Sequence, residues 1–314
     1  MQDFTTDTAR ASRVQVADLA GRSDRAGLLQ LAGHVALLAV TASLIALTRD
    51  GWLVWPAMLV HGIVQVALFA PLHETVHRTA FRSRWLNDLV ASVVGLIHVL
   101  PARYFRRFHF AHHRHTQDPD RDPELASAKP TRLWHYWLYI SGTFYWRDRF
   151  RELIRHAGGR SVAKFIPDNE RAVVIREARW HLAVYAGLAA LVLGWQVTEP
   201  LLFWFGPAVL GQPFLRAYLL AEHTGCPECP DMFKNTRTTR SNALVRFLMW
   251  NMPYHTEHHA FPAVPFHRLA ELHGRIRERL VHVEPAYASF HRTYHAALAA
   301  GDGERFTRSQ PAQA

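Results

Sequence analysis

Cysteine is nearly absent from this chain. Only Cys226 and Cys229 occur in 314 residues, which excludes a disulfide scaffold. Their single C-x-x-C has no second pair and no βαβ pattern around it, so it reads as two reduced thiols in a turn. Residues 1–27 alternate Asp and Arg with no apolar core, so no cleavable signal peptide is expected there. No His-Pro pair exists, which removes the H-P-G-G haem motif of a fused cytochrome b5 domain. No helix-turn-helix, zinc-finger or aromatic RNP pattern accompanies the formal charge of +10, so nucleic acid is not an expected partner.

What the chain has is apolar surface and histidine: 49% hydrophobic residues, 10 Trp, 18 Phe and 21 His. From Leu28 to Thr48, and again from Trp52 to Leu72, the sequence carries no Asp, Glu, Lys or Arg. At 1.5 Å per residue, each run is long enough to cross a hydrocarbon core of about 30 Å. Residues 180–198 and 201–221 are read as a second membrane hairpin, with a kink expected near Pro207 and Pro213. Leu89–Leu100 and Trp134–Trp146 are too short to span and read as interfacial or buried helices. Arg13, Arg22 and Arg25 precede the first span, residues 78–133 and 147–179 carry most other arginines, and the outer links have only Arg49. By the positive-inside rule, both termini and both long loops are cytoplasmic.

Three clusters carry the chemistry: H73-E-T-V-H77, H109-F-A-H-H113 and H255-T-E-H-H259. Spacings of three and four put side chains on one helix face, so each cluster presents several imidazoles to one locus. His223, just past the fourth expected span, is a ninth histidine on the same side of the membrane. Clustered imidazoles need a metal to justify their desolvation, and zinc takes four ligands, or three when catalytic; nine point to two metals. HETVH also matches the H-E-x-x-H of zinc proteases, which makes an intramembrane zinc metalloprotease using His73, Glu74 and His77 the competing reading. The metzincin continuation fails, with Ala80 and Ser83 where Gly and a third His belong. Glu74 then reads either as a partner supporting the metal ligands or as a tolerated surface residue. The acidic stretch Asp118–Glu124 lacks an EF-hand's Gly and twelfth-position Glu and reads as an ordered turn rather than a calcium site.

With these three boxes in order, and with "AHHRHTQDPDRDPEL" after the second and "NMPYHTEHHAFPAVPFHRL" around the third, the chain resembles the membrane fatty acid desaturase family over roughly residues 30–285. The resemblance implies an all-α integral membrane fold in which four transmembrane helices lie under a cytoplasmic helical cap holding a non-haem di-iron site. It implies His73, His77, His109, His112, His113, His255, His258 and His259 as ligands, with His223 in "AEHTGCPE" as the extra ligand between the second and third boxes. Some relatives place an Asn one turn before that histidine to reach a metal-bound water; here the position is Leu219. Asn251 is left with either a supporting polar role or a turn role.

The chain is accordingly expected to have a mobile cytoplasmic N-terminal tail (1–27), a membrane desaturase-like domain (28–285) and a C-terminal cytoplasmic tail (286–314). The expected activity is that of an O2-dependent di-iron oxidase of a bacterial inner membrane, introducing a double bond into a fatty acyl chain. Hydroxylation, ketolation and oxidative decarboxylation stay open on the same motifs. Iron that changes oxidation state with O2 can remove hydrogen from an unactivated C–H bond, which acid-base side chains cannot do. Trp134, Trp137, Tyr145 and Trp146 read either as tunnel lining or as an interfacial belt. The basic surface, including Arg103, Arg106, Arg107 and Arg147–Arg155, suits anionic headgroups, an acyl carrier or an acidic electron carrier. Electrons are expected from an external donor such as a ferredoxin.

Overall fold

The first long helix begins where the sequence supplies a cap. Ser23 Oγ accepts from the Ala26 amide at 3.2 Å, and Asp24 occupies the first turn, where negative charge suits the helix dipole. The computed structural model describes residues 16–159 and 163–307; residues 1–15 and 308–314, the outer parts of the two expected tails, lie outside the described residues.

Helix α1 (Asp24–Thr48) exposes Leu29, Val35, Val40 and Leu47 along its length. So long an apolar surface suits lipid rather than water. The chain returns through α2 (Val54–Val66) and, after a short break, α3 (Phe69–His77). Polar side chains inside this hairpin are paired across it. His34 Nε2 meets the Val64 carbonyl at 2.9 Å, and His61 Nδ1 meets Thr41 Oγ1 at 2.7 Å, so these two histidines are interhelix ties.

Arg78, in the left-handed region at φ 62°, ends α3 and pairs with Asp88 at 3.0 Å. Helices α4 (Arg84–Ile97) and α5 (Ala102–His115) follow, bent by 99° to each other. After α6 (Leu133–Ile140) and α7 (Thr143–Ala157) comes the long α8 (Asp168–Trp195). A π-helical turn over Leu201–Phe205 then leads into α9 (Gly206–His223). The π turn ends just before Pro207, while Pro213, where a kink was also expected, sits inside the continuous α9.

Among the described residues, two helices are long and apolar enough to cross a membrane, Asp24–Thr48 and Val54–His77, or three if the bent α4–α5 pair is one span. The second expected hairpin stands apart from these. Its α8 opens on a charged stretch, D-N-E-R, and its α9 is preceded by the π turn and contains Arg216. Arg49 and Glu199, one from each short interhelical link, approach to 3.7 Å, so both links lie at the same end of the bundle.

Glycine fixes how closely α2 and α9 cross. A Cβ at Gly62 would lie 2.1 Å from the Pro207 carbonyl oxygen, and one at Gly211 would lie 2.2 Å from that of Gly62. Only hydrogen fits at these two positions.

Beyond α9, β1 (Arg237–Thr239), α10 (Ala243–Leu248), α11 (His255–Ala260) and α12 (Leu269–Ile276) form a cap, completed by β2 (His282–Glu284). The strands pair in parallel with Arg237 opposite His282, which qualifies the all-helical expectation by one short ladder. Two further expectations are corrected. The segment 286–314 does not begin as a tail: it contributes α13 (Tyr287–Ala299), whose Phe290, Tyr294 and Leu298 are buried with Tyr136, Ile140, Leu220 and Ala221. Near the N-terminus, Val16 and Leu19 are buried in the main core, and Asp18 pairs with Arg275 at 2.6 Å. Apolar burial outweighs the ordering cost in both segments.

Candidate metal centre

Each histidine box lies on a helix. His73 and His77 stand one turn apart on α3, His109, His112 and His113 on the last turns of α5, and His255, His258 and His259 on α11, with His223 ending α9. The fold gathers them into two neighbouring groups. In the first, one donor atom each from His73, His77, His109, His113 and His258 lies within 4.8 Å of the others; in the second the same holds for His112, His223 and His259. His255 lies outside that mutual distance but adjoins the second group, its Nε2 lying 3.1 Å from His223 Nε2. Helical spacing explains the division. The i, i+4 pair His109 and His113 faces one group while His112, rotated about the same helix, faces the other.

Hydrogen bonding behind the rings settles which nitrogens point inward. His112 Nδ1 lies 3.0 and 3.1 Å from the two oxygens of Asp122, and His223 Nδ1 lies 3.1 Å from the Asn235 carbonyl. A carboxylate and a carbonyl only accept, so both Nδ1 atoms carry the proton. The two Nε2 atoms face each other 3.2 Å apart, an approach that a shared proton or a cation between them satisfies. In the first group His109 Nε2 and His258 Nε2 lie 3.0 and 3.2 Å from His113 Nε2, and neither nitrogen of buried His73 has a partner. Unpaired buried nitrogens cost free energy, which coordination would remove. Donors about 2.1 Å from a shared ion lie about 3.0–3.4 Å from their neighbours, the separations found here. Burial, reinforced by neighbouring imidazoles, also holds His255, His258 and His259 well below the ordinary histidine range, so they are neutral and available as ligands.

Buried polar residues hold the boxes in place. Glu257, inside the third box, accepts from Thr238 Oγ1 at 2.5 Å and meets His273 Nδ1 at 2.5 Å, while Thr256 Oγ1 donates to the Thr236 carbonyl. Asn251 has φ 59°, and its side chain donates to the Phe266 carbonyl at 3.1 Å; of its two expected roles it has the turn role. Gln117 donates to the carbonyls of His223 and Cys226, stitching the α5 exit to the α9 exit. Cys226 is buried, and burial pushes its thiol up to about 11, so it is protonated at neutral pH. Glu74 is fully buried and accepts from Thr79 Oγ1 at 2.5 Å, which corrects the surface reading. It does not line the adjoining cavity, where a general base would meet water and substrate, so the protease arrangement finds no support there.

Residues of the acidic turn were the ones sequence reasoning missed. Asp122 aligns His112 and also accepts from the Gln117 amide at 2.9 Å. Glu124 brings Oε2 to 3.4 Å from His112 Nε2 and Oε1 to 3.1 Å from Lys129 Nζ. Burial alone would push the Glu124 carboxyl up, but Lys129 and His112 outweigh it and hold it far below the usual range. The available signal was the placement of these carboxylates right after the second box. Asp122→Asn is expected to weaken metal retention at the second group about 10–100-fold, read by dialysis against a chelator.

A cavity of about 1350 Å³ leads to His73, His109, His112 and His255. Phe69, Leu100, Phe105, Tyr145, Leu219 and Met252 supply apolar wall, and Arg114, Arg147 and Arg151 lie on its outer part. Of the four aromatic residues with two expected roles, only Tyr145 lines it; Trp134 and Trp137 are exposed, as belt residues would be.

The sequence profile described as fatty acid desaturase matches residues 50–291. Similar proteins include a sphingolipid delta(4)-desaturase of Drosophila melanogaster, 27% identical over 77% of this chain and 71% of that protein. An sn-1 oleoyl-lipid 12-desaturase of Synechocystis sp. is 24% identical over 69% and 66% of the two chains. A sphingolipid delta(4)-desaturase/C4-monooxygenase of Homo sapiens is 26% identical over 69% and 64%.

Proposed function

Because the chain belongs to the fatty acid desaturase family, an oxidoreductase family acting in lipid desaturation or oxidation, we propose that it introduces a double bond into a fatty acyl chain at two iron ions. The observation that carries this reading is the convergence of nine imidazoles into two adjoining groups beside an apolar cavity. Five donors around the first locus exceed the four of a closed zinc site, and imidazole suits iron.

When bound, the iron pair supplies the redox chemistry with O2 that C–H cleavage requires. The balance is R–CH2–CH2–R′ + O2 + two electrons + two protons giving R–CH=CH–R′ + two H2O, two electrons coming from the substrate and two from an external donor. The protein's own residues position and enclose. Phe69, Leu100, Phe105 and Met252 hold the acyl chain by apolar contact and exclude water, and His73, His109, His112 and His255 fix where along the chain the reaction falls. Asp122 and the Asn235 carbonyl keep the Nδ1 protons of His112 and His223, leaving Nε2 free for metal. The exposed Arg114, Arg147 and Arg151 give the cavity mouth a positive field suited to an acidic donor such as a ferredoxin.

We place the chain in a bacterial inner membrane with four spans, α8 and α9 forming the second hairpin, and with the metal centre on the cytoplasmic side. The Arg49–Glu199 approach supports this, because it gathers both short links at one end of the bundle. Hydroxylation is the second reading, favoured by the human relative whose name joins a desaturase to a monooxygenase. Expression with a reducing system and mass spectrometry of whole-cell lipids tests both. Loss of two hydrogens is expected, absent in a His113→Ala control. Gain of one oxygen would select the second reading, and no mass change in any lipid would oppose both.

A further inference from the structure

The two donor groups are unequal: five imidazoles form the first, and three, His112, His223 and His259, form the second, with His255 adjoining it through His223 as a fourth. Leu219, one turn before His223, offers no polar atom to make up the difference. Three carboxylates approach the second group, and they approach different faces of the rings. Asp122 meets His112 at Nδ1, behind the ring, and Glu222 meets His255 at Nδ1, with Oε1 at 3.4 Å. Glu124 alone of the three meets a histidine at Nε2, the side facing His223, where Oε2 stands 3.4 Å from His112 Nε2.

We infer that Glu124 is the fifth ligand of the second metal, a single carboxylate oxygen completing a four-imidazole site. The inference rests on the two-iron reading above. Its geometry has two independent parts. Oε2 lies at a separation that donors of one ion adopt. Oε1 is held 3.1 Å from Lys129 Nζ, whose side chain is only 11% exposed. One oxygen is therefore anchored by a cation while the other is presented to His112 Nε2, which leaves one oxygen for coordination. The side chain keeps 30% exposure and lines the cavity, so the ligand stands where an acyl chain and O2 would arrive. A carboxylate on one metal and imidazoles alone on the other makes the two ions chemically inequivalent, the carboxylate-bearing one being the harder site. Asp122 and Glu124 belong to one turn: the Asp122 side chain accepts from the Glu124 amide at 2.9 Å, so the residue that aligns His112 also places Glu124.

Full-length protein in detergent, loaded with 57Fe, tests this by Mössbauer spectroscopy. Wild type is expected to show two iron signals of equal area. Glu124→Gln and Glu124→Ala are expected to shift the quadrupole splitting of one signal and weaken iron retention at that site at least about tenfold, leaving the other signal unchanged as the internal control for folding. Lys129→Met is expected to alter the same signal less. Two unchanged signals at full occupancy in the Glu124 variants would overturn the inference, and so would equal loss of both signals, which would make Glu124 a structural residue of the cap. A wild type without two irons would instead sink the underlying two-iron reading.

Discussion

Replacing His258 by alanine is expected to remove one metal and nearly all activity. His258 stands at the junction of the first group, its Nε2 3.2 Å from His113 Nε2 and its ring centre 4.6 and 4.7 Å from those of His73 and His77. Alanine leaves a gap that no neighbouring donor fills, and the remaining imidazoles must re-form a poorer site. Iron content should fall from about two to about one per chain. Turnover should fall by at least about a thousandfold, about 4 kcal/mol of barrier at 1.4 kcal/mol per factor of ten. Metal analysis and lipid mass spectrometry of the same preparation check both. Wild-type iron content and turnover in the variant would remove His258 from the ligand set.

The second large effect lies away from the histidines. Gly62→Val should break the α2–α9 crossing, because even a Cβ there would stand 2.1 Å from the Pro207 carbonyl oxygen and 3.0 Å from the Gly211 amide nitrogen. The obstacle is backbone on backbone, so no side-chain rotation relieves it, and the cost sits at the upper end for overpacking, about 3 kcal/mol. Because α9 ends on His223, displacing that helix should also pull a ligand from the second group. Thermal unfolding in detergent should show a lowered midpoint, with the second iron lost before the first. A midpoint equal to that of wild type would mean that the helices do not meet at Gly62.

The grouping of these histidines was legible in the sequence because the boxes are local patterns. A helical turn suffices to pair His73 with His77 or His109 with His113, and an uncharged run suffices to mark α1. What was not legible depends on contacts between distant segments. Glu74 stays open between a supporting and a surface role until burial beside Thr79 is known, and Asp122 and Glu124 read only as part of an ordered turn until His112 lies against them. The second hairpin is harder for another reason: α8 mixes charged and apolar residues, so its period marks a helix without marking a span. Helix α13 was readable in principle. Phe290, Tyr294 and Leu298 recur every fourth residue, the apolar stripe of a packed helix rather than of a tail. Asn251 shows the reverse case, a polar residue near the third box whose left-handed backbone and bond to the Phe266 carbonyl make it a turn former.

The central claim, two metals with redox function held by nine histidines, is tested most directly by one measurement. Protein expressed in iron-sufficient cells and purified without chelator is assayed for metal content and for turnover with and without O2, in the presence of a reductant. About two irons per chain, with turnover that stops when O2 is withdrawn, is the predicted result. One tightly bound zinc in a preparation that turns over without O2 would contradict it.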